Sequence, residues 1–221
     1  MLTWLSMRLL VVTGWIIKKA ENMAHITYFF ATISPFTYLA GTRMEAVVQK
    51  HGATVEYRPM DLMTVFGRTG GVPPKDRHIN RIEMRAQELQ REAKKLQMPM
   101  NFKPSFFPVN MAPSSYAIIS AARHGDGDLG ALAHGFTRAV WAEEKDISQL
   151  DVIADCLKAA GFDPSLADKD MIGSAEQYAK NTNDAIFAGV FGAPFYITDT
   201  DQRLWGQDRL GDLDLVLSGA L

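Results

Sequence analysis

Phe29-Phe30-Ala31-Thr32-Ile33-Ser34-Pro35-Phe36-Thr37-Tyr38-Leu39-Ala40 is the stretch whose reading decides the fold. It leaves a β-branched and aromatic run, Ile26 to Phe30, which favours a strand. Ser34 then supplies a helix N-cap, and Pro35 takes the first helical position, where a missing N–H costs nothing. Tyr38, Leu39, Met44, Val47 and Val48 follow at spacings suited to one buried helical face, and His51-Gly52 closes the segment. Thr54-Val55-Glu56-Tyr57-Arg58 alternates as a second strand, ended by Pro59, so residues 25–59 read as a β-α-β unit.

Working outward, Gly70-Gly71-Val72-Pro73-Pro74 breaks the chain, and long helical periodicities follow. Ile82, Ala86, Leu89, Ala93 and Leu96 mark one amphipathic helix; Leu129, Leu132, Ala133, Phe136 and Val140 mark another; Leu150, Ile153, Ala154 and Leu157 mark a third. A further helix begins near Asn110 or Ala112. Strand character returns at Phe195-Tyr196-Ile197-Thr198, a turn occupies Asp199 to Gln202, and Arg203-Leu204-Trp205 forms a short second strand. Gly206-Gln207-Asp208 opens a last helix with Leu210, Leu213 and Leu217 facing inward. The order is βαβ, four to six helices, then ββα: an α/β chain whose sheet is completed late, with the helices inserted as a subdomain.

Composition bounds the function. The 23 Lys and Arg against 25 Asp and Glu give a net charge of −2, with no electrostatic ground for a nucleic-acid or anionic-membrane partner. The single cysteine, Cys156, excludes an internal disulfide, a Cys-x-x-Cys redox pair and a cysteine-rich zinc site, and reads as a packing residue. His25, His51, His78, His124 and His134 are scattered without ligand spacing, so no metal site is expected. The apolar runs Leu9 to Val12 and Trp15 to Ile17, stopped by Lys18-Lys19, are too short to span a bilayer. Met23 is a plausible start directly before the first strand, so residues 1–22 read as an N-terminal extension rather than as part of the native fold.

Several residues carry more than one reading. Ser34 stands at a helix start, where N–H groups and the helix dipole favour an anion such as a thiolate, yet a plain N-cap also explains it. Pro194 reads as a loop proline before a strand, and Asp208 as a helix cap. Arg77, Arg81 and Arg85 recur every four residues, so they share a face that suits a substrate carboxylate or is merely solvated. The methionines within Met60 to Met63 and Met98 to Met100 suit either an adaptable wall for an aromatic substrate or gaps in a core.

The stretch Phe29 to Ala40, with Phe106-Phe107-Pro108-Val109-Asn110, Gly189-Val190-Phe191-Gly192-Ala193-Pro194 and Trp205-Gly206-Gln207-Asp208-Arg209-Leu210, closely resembles the 2-hydroxychromene-2-carboxylate isomerase family, relatives of kappa-class glutathione transferases and of bacterial disulfide oxidoreductases. The resemblance implies a thioredoxin-like fold over residues 23–64 and 184–221, with an inserted all-helical subdomain over residues 65–183. It also implies glutathione as cofactor, a small aromatic substrate from aromatic compound catabolism, a homodimer and a cytoplasmic location. Ser34 then faces the glutathione sulfur, because Ser34-Pro35-Phe36-Thr37 stands where the redox relatives carry Cys-x-x-Cys. Ala193 and Pro194 correspond to the cis-proline loop, Trp205 and Gly206 to further glutathione contacts, and Gln207 and Asp208 to the contacts for the γ-glutamyl end. Asp76 and Arg77 correspond to a substrate-contacting Asn-Arg pair. Two positions depart from the naphthalene-pathway members, whose lysine after the second strand is here Phe66 and whose pocket tyrosine is here Pro104, so the substrate's identity stays open. The implied activity is glutathione-dependent cis–trans isomerisation, with a kappa-like transferase or a non-catalytic glutathione- or peptide-binding module as alternatives.

Overall fold

In the computed structural model, which describes residues 23–221, the aromatic run becomes β1 (His25–Phe30) at the middle of a four-stranded sheet. The extension expected over residues 1–22 lies outside the described residues. The strand order is β2-β1-β3-β4, with β2 (Thr54–Pro59) parallel to β1, and β3 (Phe195–Thr198) and β4 (Arg203–Trp205) added antiparallel. Tyr28 is in register with Tyr57 on one side and Tyr196 on the other. The Tyr28 ring stacks on Tyr196 at 5.1 Å and meets Tyr57 edge-on at 5.8 Å, a cross-strand aromatic ladder that locks the register.

The parallel β1–β2 pair needs a helical crossover, and the sequence promises one continuous helix. Instead the crossover breaks into α1 (Pro35–Ala40) and α2 (Arg43–His51). Gly41 adopts φ 59° and its N–H returns to Tyr38 O at 2.9 Å, which stops α1. Arg43 satisfies the carbonyls left open, donating to Leu39 O at 2.8 Å and to Ala40 O at 3.2 Å. Because Tyr38, Leu39 and Met44 are all buried, the apolar period runs straight across the break and hides it.

Six helices lie between β2 and β3: α3 (Leu62–Thr69), α4 (Ile79–Lys95), α5 (Ala112–His124), α6 (Leu129–Trp141), α7 (Leu150–Ala159) and α8 (Met171–Phe187). Two of these have no counterpart in the sequence reading. α3 is nucleated by its N-cap, Asp61, which accepts from Met63 N and Thr64 N. α8 buries Ser174, Asn181 and Thr182 beside Tyr178 and Ala185, so its inward face is too polar to read as an apolar stripe. The divisions expected at 64/65 and at 183/184 fall inside α3 and α8, which carry the chain between the sheet and the helical block without a linker. A 3-10 turn (Gln207–Arg209) leads into α9 (Leu210–Leu217). Cys156 is half-buried on α7, where burial pushes its thiol up to about 11. Among the described residues no helix is long and apolar enough to cross a membrane.

Candidate active site

The turn between β1 and α1 carries Ser34, and the helical block holds that turn in place. Trp141 of α6 donates from Nε1 to Ile33 O at 3.1 Å, and Thr32 Oγ1 lies 2.9 Å from Ser114 Oγ of α5. Trp141 is therefore a core anchor, with Phe107 packed on its ring at 4.8 Å. Ser34 caps α1: its Oγ accepts from Thr37 N at 3.2 Å and donates to Ala193 O at 3.4 Å. The second bond is at the long limit, so the hydroxyl proton is weakly committed. The Ala193–Pro194 peptide is cis, and Pro194 O accepts from Gly206 N at 3.0 Å, which ties the 193–194 loop to the 206–208 turn.

Beside Ser34 a narrow apolar cleft of about 100 Å³ is walled by Phe36, Leu62, Met63, Phe66, Phe107 and Trp205. It adjoins a wider, more polar groove of about 290 Å³ that reaches Gly206, Gln207 and Asp208. Phe36, Arg77, Arg85, Ala193 and Trp205 border both compartments. Trp205, 52% exposed, lies against Gly192, where a Cβ would come within 2.4 Å of its Nε1, and meets Phe191 edge-on at 4.8 Å. Gly206 has φ 116°, and a Cβ there would lie 2.5 Å from Asp208 Oδ1, so only glycine lets that carboxylate fold over the turn.

Of the residues singled out from sequence, Ser34, Phe66, Arg77, Ala193, Trp205, Gly206, Gln207 and Asp208 gather around these two compartments. Pro194 joins them through the Gly206 bond. Asp76 does not: it ends an exposed 3-10 turn (Pro74–Asp76) and lines neither compartment. Gln207 is 3% exposed and its side chain is spent within the protein, Oε1 accepting from Arg43 and Nε2 donating to Glu92 at 3.0 Å. What Gln207 can offer a ligand is its backbone N–H, unpartnered as first-turn N–H groups are. Met60 is buried core and Met98 and Met100 border a separate shallow groove, which leaves Met63 as the cleft methionine.

Arg77 donates to Val72 O at 2.7 Å and lies 5.7 Å above the Phe66 ring. Burial, and then Arg81, lower its pKa from the usual arginine value; burial, and then Arg77, do the same to Arg85. Sequence reasoning missed the apolar walls Phe36, Leu62 and Phe107, and it missed Arg43, which joins the end of α1 to Gln207. Phe36 and Phe107 did carry a signal, since both lie in resembling motifs; Leu62 and Arg43 carried none. Chemically, the site offers a weakly held hydroxyl, an apolar slot for a flat ring, guanidinium charge beside that slot, and N–H groups with a carboxylate that together suit an α-amino-acid end. No thiol lines it.

Comparison with known proteins places the fold and the family. Residues 25–218 match the DSBA-like thioredoxin domain. A 2-hydroxychromene-2-carboxylate isomerase of Pseudomonas sp. (strain C18) is 30% identical over 201 residues, covering 88% of this chain and 91% of that protein. Its namesake from Sphingobium xenophagum is 29% identical over 195 residues, covering 87% and 97%. A solved 2-hydroxychromene-2-carboxylate isomerase superposes with a TM-score of 0.68 at 27% identity, covering 89% of this chain and 95% of that one. The cytosolic disulfide reductase DsbM of Pseudomonas aeruginosa, at 19% identity and a TM-score of 0.65, shares the fold over 89% of this chain and 98% of its own. The chain thus belongs to the DSBA-like thioredoxin domain family and, within it, to the 2-hydroxychromene-2-carboxylate isomerase family, which makes it an isomerase.

Proposed function

We propose that the protein is a glutathione-dependent cis–trans isomerase of aromatic enone acids resembling 2-hydroxychromene-2-carboxylate, the compound for which its relatives are named. The observation that carries this reading is Ser34 beside an apolar, arginine-bordered cleft with no thiol of its own. When bound, glutathione would supply a thiolate nucleophile able to add reversibly to a conjugated alkene, a chemistry that permits rotation about the former double bond and consumes no thiol.

The chain's own residues accomplish the rest. Ser34 turns its proton from Ala193 O, 3.4 Å away, toward the sulfur and favours the anionic form. The Ala193 backbone pairs with the cysteinyl peptide group as an added strand would. The N–H groups of Gln207 and Asp208 receive the γ-glutamyl carboxylate, and the Asp208 carboxylate, on the exposed side of the turn, receives its ammonium. Phe36, Phe66 and Phe107 exclude water around a flat ring, and Arg77 anchors the acid group beside it. A site that depends on a reduced thiol suits a reducing compartment such as the cytoplasm.

The test is turnover of a cis-benzylidenepyruvate with thiol assayed before and after. The expected result is no reaction without glutathione and full recovery of glutathione when the isomer has formed. Stoichiometric loss of glutathione would make the protein a transferase, and isomerisation that proceeds without any thiol would refute the mechanism.

A further inference from the structure

Four of the described arginines are half-buried: Arg43, Arg58, Arg77 and Arg85. Three of them find acceptors within the protein. Arg43 donates to Leu39 O and to Gln207, Arg58 pairs with Glu56 and Asp184, and Arg77 donates to Val72 O. Arg85 is different: among the described residues no carboxylate or carbonyl accepts from its guanidinium. Its one specific contact is the face of the Phe36 ring, 5.5 Å from centroid to guanidinium carbon. Glu88, one turn along α4, exerts only a through-space attraction, and the charge of Arg77 opposes it. A partly desolvated cation that no acceptor of the protein neutralises gains when an anion completes it.

The place of that anion follows from the walls. Arg85 borders the apolar slot shared by Phe36, Phe66 and Phe107 as well as the polar groove, and it stacks on the residue two positions after Ser34. An anion held there would sit where the slot meets the groove, within reach of a ligand in the slot. We propose that Arg85 is the specificity-determining residue of the site, binding the carboxylate conjugated to the reacting enone and so selecting enone acids over neutral enones. This rests on the isomerase reading above: Arg77, pinned to Val72 O, flanks the same acid group, and Arg85, which has no acceptor within the protein, contributes most of the discrimination.

The experiment compares wild type, Arg85→Gln and Arg85→Lys on benzylidenepyruvate and on the neutral ketone benzylideneacetone, with glutathione saturating. Losing a hydrogen-bonded pair with a charged group predicts a fall of about 10- to 100-fold in kcat/KM for the acid in Arg85→Gln. The ketone and the KM for glutathione should change less than about threefold, and Arg85→Lys should recover part of the loss on the acid. Equal losses on acid and ketone, or a rise confined to the KM for glutathione, would overturn the assignment. Calorimetric binding of the unreactive acid cinnamate separates this proposal from the isomerase reading. A wild type that turns nothing over yet loses cinnamate on Arg85→Gln refutes the isomerase reading and supports Arg85 as the acid-selecting residue. Cinnamate bound equally by both proteins refutes Arg85.

Discussion

Replacing Ser34 by alanine removes one oxygen that performs two duties, and their sizes can be separated. As the cap of α1, Ser34 Oγ accepts from Thr37 N at 3.2 Å. Losing such a cap costs about 1 kcal/mol of folding stability, and the 3.4 Å contact to Ala193 O adds little to that. A small domain holds a reserve of roughly 5 to 15 kcal/mol, so the variant stays folded at 25 °C. As donor to a thiolate, the same hydroxyl contributes about 1.5 to 3 kcal/mol. At about 1.4 kcal/mol per tenfold, its loss predicts a fall of roughly 10- to 150-fold in kcat/KM. The assay pairs urea unfolding with steady-state turnover of a cis-benzylidenepyruvate as a function of pH. In Ser34→Ala the acidic, rising limb of the rate profile should move to higher pH, because the thiolate has lost a partner that favours it; Ser34→Thr, which keeps a hydroxyl, should stay within a few-fold of wild type. If Ser34→Ala loses the expected stability while kcat/KM changes less than about threefold, the hydroxyl is a helix cap and nothing more.

Three further outcomes follow from particular contacts. Cys156, its thiol raised to about 11 by burial, is about one part in a thousand thiolate at pH 8, so Cys156→Ala should leave turnover and its need for glutathione unchanged, and activity lost with the cysteine would refute the borrowed-thiol account. Gly192→Ala drives a Cβ into the Trp205 ring at 2.4 Å and should turn it off Phe191, costing about 1 kcal/mol in urea unfolding and raising the KM for glutathione; unchanged values of both would refute this role of the ring. Glu45 is held above the ordinary carboxylate value, chiefly by burial, with Tyr57 donating to Oε1 at 2.9 Å and Oε2 left unpartnered. A folded-state value above the unfolded one means stability is greatest at low pH and falls as pH rises through the folded value. Glu45→Gln should therefore be more stable than wild type at pH 7, with the gain shrinking toward pH 4; a gain larger at pH 4 than at pH 7 would contradict that sign.

What the sequence discloses here is what local chemistry decides. The β-branched runs at Ile26 and Phe195, the Ser34-Pro35 cap and the turn before Arg203 each act within a few residues, and the strands and α1 begin where those signals stand. The break at Gly41 is hidden because Tyr38, Leu39 and Met44 keep one apolar face across it, while the residue that repairs it, Arg43, reaches 164 positions along the chain to Gln207. For the same reason Gln207 reads as a ligand contact but is buried between Arg43 and Glu92, partners far away in sequence. The arginine repeat shows the same limit. Spacing alone does not distinguish Arg77, pinned to Val72 O, from Arg81, exposed, or from Arg85, half-buried without an acceptor. Desolvation, which separates the three, is a property of packing rather than of pattern.

The account turns on a thiolate held at Ser34. The most direct measurement is the ultraviolet thiolate absorbance of glutathione, titrated with pH in the presence of saturating wild-type protein and of Ser34→Ala. The account predicts that the bound thiol ionises at lower pH than free glutathione on the wild type, and that most of this shift disappears in the variant. A bound thiol that titrates like free glutathione on the wild type, or a shift equally large in both proteins, would contradict it.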